Sequence, residues 1–244
     1  MTLARETLDV RRQEVEQLLA YLKQSEEPSS LSRPDSPKGE TLRILRSSCY
    51  MMIYSMVEST MSLCLQDLTS AVIRTASSIR DLKDEVFEHY LVSKYNSRLG
   101  PISREKGVSL VKEFMKELDQ ATIPEFTFAS PSGNCNDKQI EKTMEVVGIK
   151  FTLDSGLKKR VKMFVTNERS TLDALVQVRN DLAHGNRTFS EVGQDCTEKD
   201  LRRIFDLSVD FLEVVIQHFE DYIEVSGYLK NLDGAENSFS DDAA

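Results

Sequence analysis

From Glu40 to Leu99 the chain contains neither Gly nor Pro, and this constrains its fold more than any other feature. Those two residues are the strongest interrupters of regular structure, so a stretch this long without them favours long helices over a many-turned β fold. Within it, Ile44, Leu45, Met52, Ile53, Met56, Val57, Met61, Leu65, Leu68 and Val72 recur at spacings of three and four. That period predicts a helix over about 41–78, apolar enough to be central and buried. Hydrophobic residues make up 40% of the 244, which is enough to build a real core around it.

Shorter amphipathic patterns flank this element. Leu8, Val15, Leu18, Leu19 and Leu22 share one face of a helix over about 5–24, and the Ser- and Pro-rich run from Glu26 to Gly39 stops it. Helices are expected at about 81–96 and 105–119, separated by a turn at Asn96–Pro101, and again at about 137–147. Residues 121–136 lose the helical period and read as a short strand or an irregular insertion; Ile149–Leu153 reads as a further short strand. A helix follows from a cap at Ser170 to Gly185, then a polar loop to about 197, then a long amphipathic helix from Glu198 to Val225. The organisation expected is one all-α helical bundle over residues 1–230, interrupted by a small irregular or short-strand insertion at about 97–165. An acidic tail over 231–244 is expected to be disordered.

A formal net charge of -9 excludes a surface that is basic everywhere, so any grip on nucleic acid must be local. The first residues carry charges where a signal peptide needs an apolar core. No apolar run reaches the roughly 18 residues that span a bilayer. The expectation is a cytoplasmic protein with no membrane partner. Cys49, Cys64, Cys135 and Cys196 lie far apart, with no His at zinc-ligand spacing, so no structural metal and no cofactor is expected. Cys49 and Cys64 read as small core hydrophobes.

Of three histidines, His89 and His218 sit inside helical patterns with no nucleophile or ligand spacing and read as structural or solvent-exposed. His184 differs. It closes a helix at Gly185 and follows Arg179 by five residues, with Asn180 and Asp181 between. Imidazole can take the proton of a ribose 2'-hydroxyl near neutral pH, while guanidinium can bind the scissile phosphate and its growing charge. Positions five apart on a regular helix are about 140° apart, so convergence needs the frayed helix end, the length of Arg, or a second copy of the helix. Lys158, Lys159, Arg160 and Lys162 form the densest basic run and could track an RNA backbone; a solvated helix face balancing acidic neighbours accounts for it equally well. Glu58, alone in an apolar helix, could orient Arg179 or simply be exposed. Arg179 itself could be structural, paired with Asp173 or Asp181, with His184 capping helix carbonyls.

The string Val178-Arg179-Asn180-Asp181-Leu182-Ala183-His184-Gly185-Asn186, at the end of an apolar helix and followed by a long amphipathic one, resembles the HEPN superfamily. Ribonuclease members of that superfamily carry Arg, a polar residue and a His at this spacing. The helix around Ile53–Thr60 is similar to the early core helix of HEPN-like nucleases from prokaryotic toxin-antitoxin and phage-defence systems. The resemblance covers about residues 40–70 and 168–225 and leaves the insertion unmatched.

It implies a HEPN-type bundle and a metal-independent endoribonuclease with Arg179, His184 and Asn180 in the site. It also implies a homodimer that brings two motifs together, and control by an antitoxin or inhibitory protein. One branch has a Tyr two residues after the His; Asn186 stands there in this chain, which puts regulation through that position in doubt. Two other expectations compete with catalysis: a non-catalytic HEPN-fold module that binds RNA, nucleotide or protein, and a helical scaffold in which Arg179 and His184 only close a helix.

Overall fold

The computed structural model describes residues 2–26, 39–95, 103–120, 122–131, 133–163 and 169–230. In chain order the helices are α1 (Leu3–Glu26), α2 (Gly39–Thr75), α3 (Asp84–Tyr95), α4 (Arg104–Leu118), α5 (Asp137–Val146), α6 (Ser155–Lys162), α7 (Thr171–Ala183), α8 (Phe189–Gln194) and α9 (Glu198–Glu224). A 3-10 turn, Ile79–Asp81, follows α2. The expected loop after α1, the Asn96–Pro101 turn and the acidic tail lie outside the described residues.

At 37 residues α2 extends about 55 Å at the helical rise. Its buried positions Ile53, Tyr54, Met56, Val57, Thr60, Met61, Cys64, Leu65 and Leu68 cover about half its circumference, wider than the stripe of a surface helix. Around it pack α1, α7, α8 and α9. From α9 come Leu201, Phe205, Phe211, Leu212, Val215, Ile216 and Phe219, all essentially without solvent exposure. Cys49 and Cys64 are buried in this core, as their apolar neighbours require. The irregular half of the chain joins the same core through Ile123, Phe126, Phe128, Ile140, Met144, Val147, Leu157 and Val161.

Two expectations change. Ile149–Leu153 forms no strand, and no described segment pairs with it to complete a ladder. The segment is held instead by Thr152 N–H donating to His218 Nε2 (3.3 Å) and by the Phe151 ring against Phe211 and His218. Residues 122–131 are likewise irregular, without strand pairing. An isolated antiparallel bridge joins Leu82 with Leu229. The loop expected before α9 contains a helix, α8, which Thr188 and Glu191 close with a capping box. Its polar sequence hides the signal, since only Val192 and Gly193 of its six residues are buried.

α3 and α4 are joined through one buried carboxylate. Glu117, 7% exposed, accepts from Tyr90 Oη (2.7 Å) and Tyr95 Oη (2.6 Å) and pairs with Lys94 Nζ (2.8 Å). Burial alone would push its pKa up, but the bonds from Lys94, Tyr95 and Tyr90 outweigh it and hold the carboxyl below the ordinary Glu value of 4.5. The sign follows: a depressed folded-state pKa gives stability that is present above the unfolded value and lost as pH falls through the folded one. Glu117→Ala should lower the unfolding free energy by about 2–4 kcal/mol, because it strands a lysine and buried hydroxyls. Urea titrations at pH 7 and below pH 4 check both points; a variant equal to wild type at pH 7, or a deficit that does not shrink in acid, contradicts the account.

Candidate active site

The site is carried by α7, whose ends are both sealed by local sequence. Ser170 Oγ accepts from Asp173 N–H (3.2 Å) and donates to Asp137 Oδ1 (3.0 Å), fixing the start of α7 to the start of α5. At the other end Gly185 is left-handed (φ +70). Gly185 N–H donates to Leu182 O (3.3 Å) and Asn186 N–H to Asp181 O (2.8 Å), the paired bonds of a Schellman closure. Gly185 therefore ends the helix as its position predicts. Leu172, Leu175, Val176 and Leu182 face the core, which leaves Arg179 and Asn180 half-buried and His184 exposed.

Arg179 turns back over α2. Its Nη1 donates to Asn180 Oδ1 (3.0 Å), and its Cζ lies 5.2 Å from the Tyr54 ring centroid. A Cβ placed on Gly133 would lie 3.7 Å from Arg179 Nη1 and 3.9 Å from Nη2, so the Gly133 turn is in near contact with the guanidinium. Among the described residues Arg179 makes no ion pair, whereas Arg5, Arg46, Arg160 and Arg187 each hold a carboxylate. Asp173 is taken by Asn136 Nδ2 (2.7 Å) and Asp181 by Gln177 Nε2 (2.8 Å). The charge of Arg179 is thus neutralised by neither acid that its sequence offers.

His184 occupies the C-cap of α7, its N–H donating to Asn180 O (2.9 Å). Its imidazole has no hydrogen-bond partner among the described residues. No hydrogen bond joins it to Arg179; Asn180 links them, by side chain to one and by backbone to the other. The other histidines hold irregular segments: His89 Nε2 accepts from Ala129 N–H (3.1 Å) and His218 Nε2 from Thr152 N–H. Burial lowers the pKa of His89, which favours this accepting, neutral ring.

The basic run lies elsewhere. α6 sits beside the start of α7, where Arg160 and Met163 line one cleft with Thr171; His184 is roughly 20 Å away along the α7 axis. Lys158 and Lys162 line a separate cleft of about 600 Å³ with Lys150, Glu85, Glu141 and Glu145. Lys159 is exposed, and Arg160 pairs with Asp210 at 2.6 Å.

Tyr54, Gly133 and Cys135 border Arg179 and are missed by sequence reasoning. Tyr54 had a signal: it precedes Glu58 by four residues and so shares its face of α2. Gly133 and Cys135 had none, because nothing local tells which helix a turn will cover. Burial, with Cys135 and Glu58 nearby, pushes the Tyr54 hydroxyl up to about 12. Burial and Glu58 push the Cys135 thiol up to about 12, against the opposing effect of Arg179. Both groups are therefore neutral at pH 7, and Cys135 offers no thiolate nucleophile. Among the described residues no group of three or more His, Cys, Asp or Glu is placed to hold a metal ion.

Over residues 2–228 the sequence matches the MAE_28990-like HEPN family. The chain belongs to that family. This HEPN chain is therefore a helical bundle of a kind often associated with ribonucleases, RNA binding and dimer formation. Comparisons with curated proteins and with solved structures returned no match. No helix among the described residues of this HEPN protein is long and apolar enough to cross a membrane.

Proposed function

We propose that this HEPN protein is an endoribonuclease in which Arg179 binds the scissile phosphate, His184 moves protons and Asn180 supports Arg179. The observation that carries this reading is the half-buried guanidinium of Arg179, which makes no ion pair among the described residues. Arginine without a carboxylate is costly to bury, and its fork of donors matches a phosphate bidentately. With one donor engaged by Asn180 Oδ1 and no other hydrogen bond from the guanidinium among the described residues, the rest can serve the substrate.

In this reaction the ribose 2'-oxygen attacks the adjacent phosphorus as its proton leaves to a base. The bond from phosphorus to the 5'-oxygen breaks, and that oxygen takes up a proton. A 2',3'-cyclic phosphate and a 5'-hydroxyl result, with no metal needed for any step. Two proton transfers suit two imidazoles, which a homodimer with facing motifs would supply. Such a dimer would also offset the separation of Arg179 and His184 within one chain. The exposed Lys158, Lys159 and Lys162 offer RNA a second, purely electrostatic contact, while Arg160 would first have to release Asp210. As a member of a toxin-antitoxin or phage-defence system, acting in the cytoplasm, the protein would be restrained by an antitoxin or inhibitory protein.

The test is cleavage of structured and unstructured RNAs by the purified protein in EDTA, with end-group analysis. Cleavage that survives chelation and leaves 2',3'-cyclic phosphates is expected. Products with 5'-phosphates, formed only with Mg²⁺, would refute the mechanism; binding without cleavage would favour a non-catalytic module.

A further inference from the structure

Residues 122–131 and 133–135 lie as an irregular strap against α2 and α3, tied down at four places. Ser93 Oγ donates to Thr127 O (2.8 Å), and Ala129 N–H donates to His89 Nε2 (3.1 Å). The Ser62 and Ser130 hydroxyls share a hydrogen bond (2.8 Å), and Gly133 N–H donates to Glu58 Oε1 (2.8 Å). The fourth tie differs from the others because the residue it holds is the one that abuts the Arg179 guanidinium.

We infer that Glu58 is a positioning residue for Arg179, acting through the Gly133 turn rather than by direct ion pairing. The inference rests on the reading of Arg179 as the phosphate-binding group. Tyr54 and Glu58 lie one turn apart on the same face of α2. Tyr54 sets its ring against the guanidinium, and Glu58 anchors the turn that closes on the same group. Spending the carboxylate on a backbone N–H has a chemical consequence. A direct Glu58–Arg179 pair would put an anion where the phosphate must bind; the observed arrangement orders the side chain yet leaves its charge for substrate. Gly133 is also required by its backbone, since φ +77 is strained for any residue with a Cβ.

The carboxylate acts here as a hydrogen-bond acceptor, so the amide oxygen of Gln can replace it. Wild type, E58Q, E58A and G133A are compared by two readouts, with thermal unfolding recorded for each. One is the order of the Arg179 Nε–Hε group by ¹⁵N NMR relaxation, its signal assigned by loss in R179K; the other is kcat for RNA cleavage. E58Q should retain Arg179 order and stay within about threefold of wild type in kcat, the effect of a modest change in one hydrogen bond. E58A should loosen Arg179 and lose about 10- to 100-fold in kcat, as a misplacement near 1 Å does. G133A strains the same turn without touching Glu58 and should behave like E58A, which keeps the inference testable if E58A does not fold. Unchanged Arg179 order in E58A and G133A overturns the role. So does an E58Q protein that matches E58A, because charge would then be what matters. If wild type cuts no RNA, the NMR comparison still decides the positioning, and only the ribonuclease reading falls.

Discussion

His184→Ala is expected to lower the rate of RNA cleavage by about 10²- to 10⁴-fold, the usual contribution of a positioned acid or base, while leaving the fold intact. The two halves of that expectation come from one observation. The imidazole is exposed at the end of α7 and bonds to nothing among the described residues. The C-cap bond of His184 is made by its backbone N–H, which Ala keeps, so removing the imidazole should change the unfolding free energy by no more than about 0.5 kcal/mol. A capping imidazole would instead cost on the order of 1 kcal/mol on deletion. Initial rates in EDTA and urea midpoints of the same preparations separate the outcomes. Loss of rate at equal stability supports a chemical role, whereas equal rates for the two proteins remove His184 from the mechanism. Loss of stability together with rate would return it to a structural part.

The second large effect lies far from the chemistry. α8 crosses α2 at Gly193, and a Cβ built there would lie 1.7 Å from the Arg43 carbonyl oxygen and 2.4 Å from its carbon. Both atoms belong to backbone inside a helix, so no side chain can swing aside. Gly193→Ala must push α8 off α2, breaking the bond from Arg46 Nη1 to Gly193 O (3.3 Å) and uncovering Val192 and Cys196. Overpacking of this kind costs about 3 kcal/mol or more. Gly39→Ala makes the matching control: no described atom lies within 4 Å of its added methyl, so a change of about 0.5 kcal/mol or less is expected. A shift in urea midpoint for Gly193→Ala that is no larger than for Gly39→Ala would mean that the two helices do not cross as described.

Much of the candidate site is legible in the sequence. The apolar spacing of α7, the cap at Ser170 and the stop at Gly185 are local signals, and local signals decide where a helix begins and ends. They place Arg179 in its last turns and His184 at its end. Residues 149–153 show the limit of the same method. Their alternation suits a strand, but a strand exists only when another chain lies alongside, and period-two patterning cannot report that. α8 was invisible for the opposite reason: its helical character rests on a capping box and on contact with α2 rather than on an apolar face of its own.

The sequence by itself determined the helical class, the long buried α2, the capped α7 and the residue types available for chemistry, because these follow from hydrophobic period and capping among near neighbours. Only the tertiary structure decided which groups meet. Asp173 and Asp181, close to Arg179 in sequence, turn to Asn136 and Gln177 instead. Glu58, more than a hundred residues from Arg179, meets the turn that abuts it. The basic run, nearer in sequence than either Glu58 or Gly133, sits at the other end of α7. Such pairings depend on how helices pack in three dimensions, and packing brings together residues whose separation along the chain carries no signal of their contact.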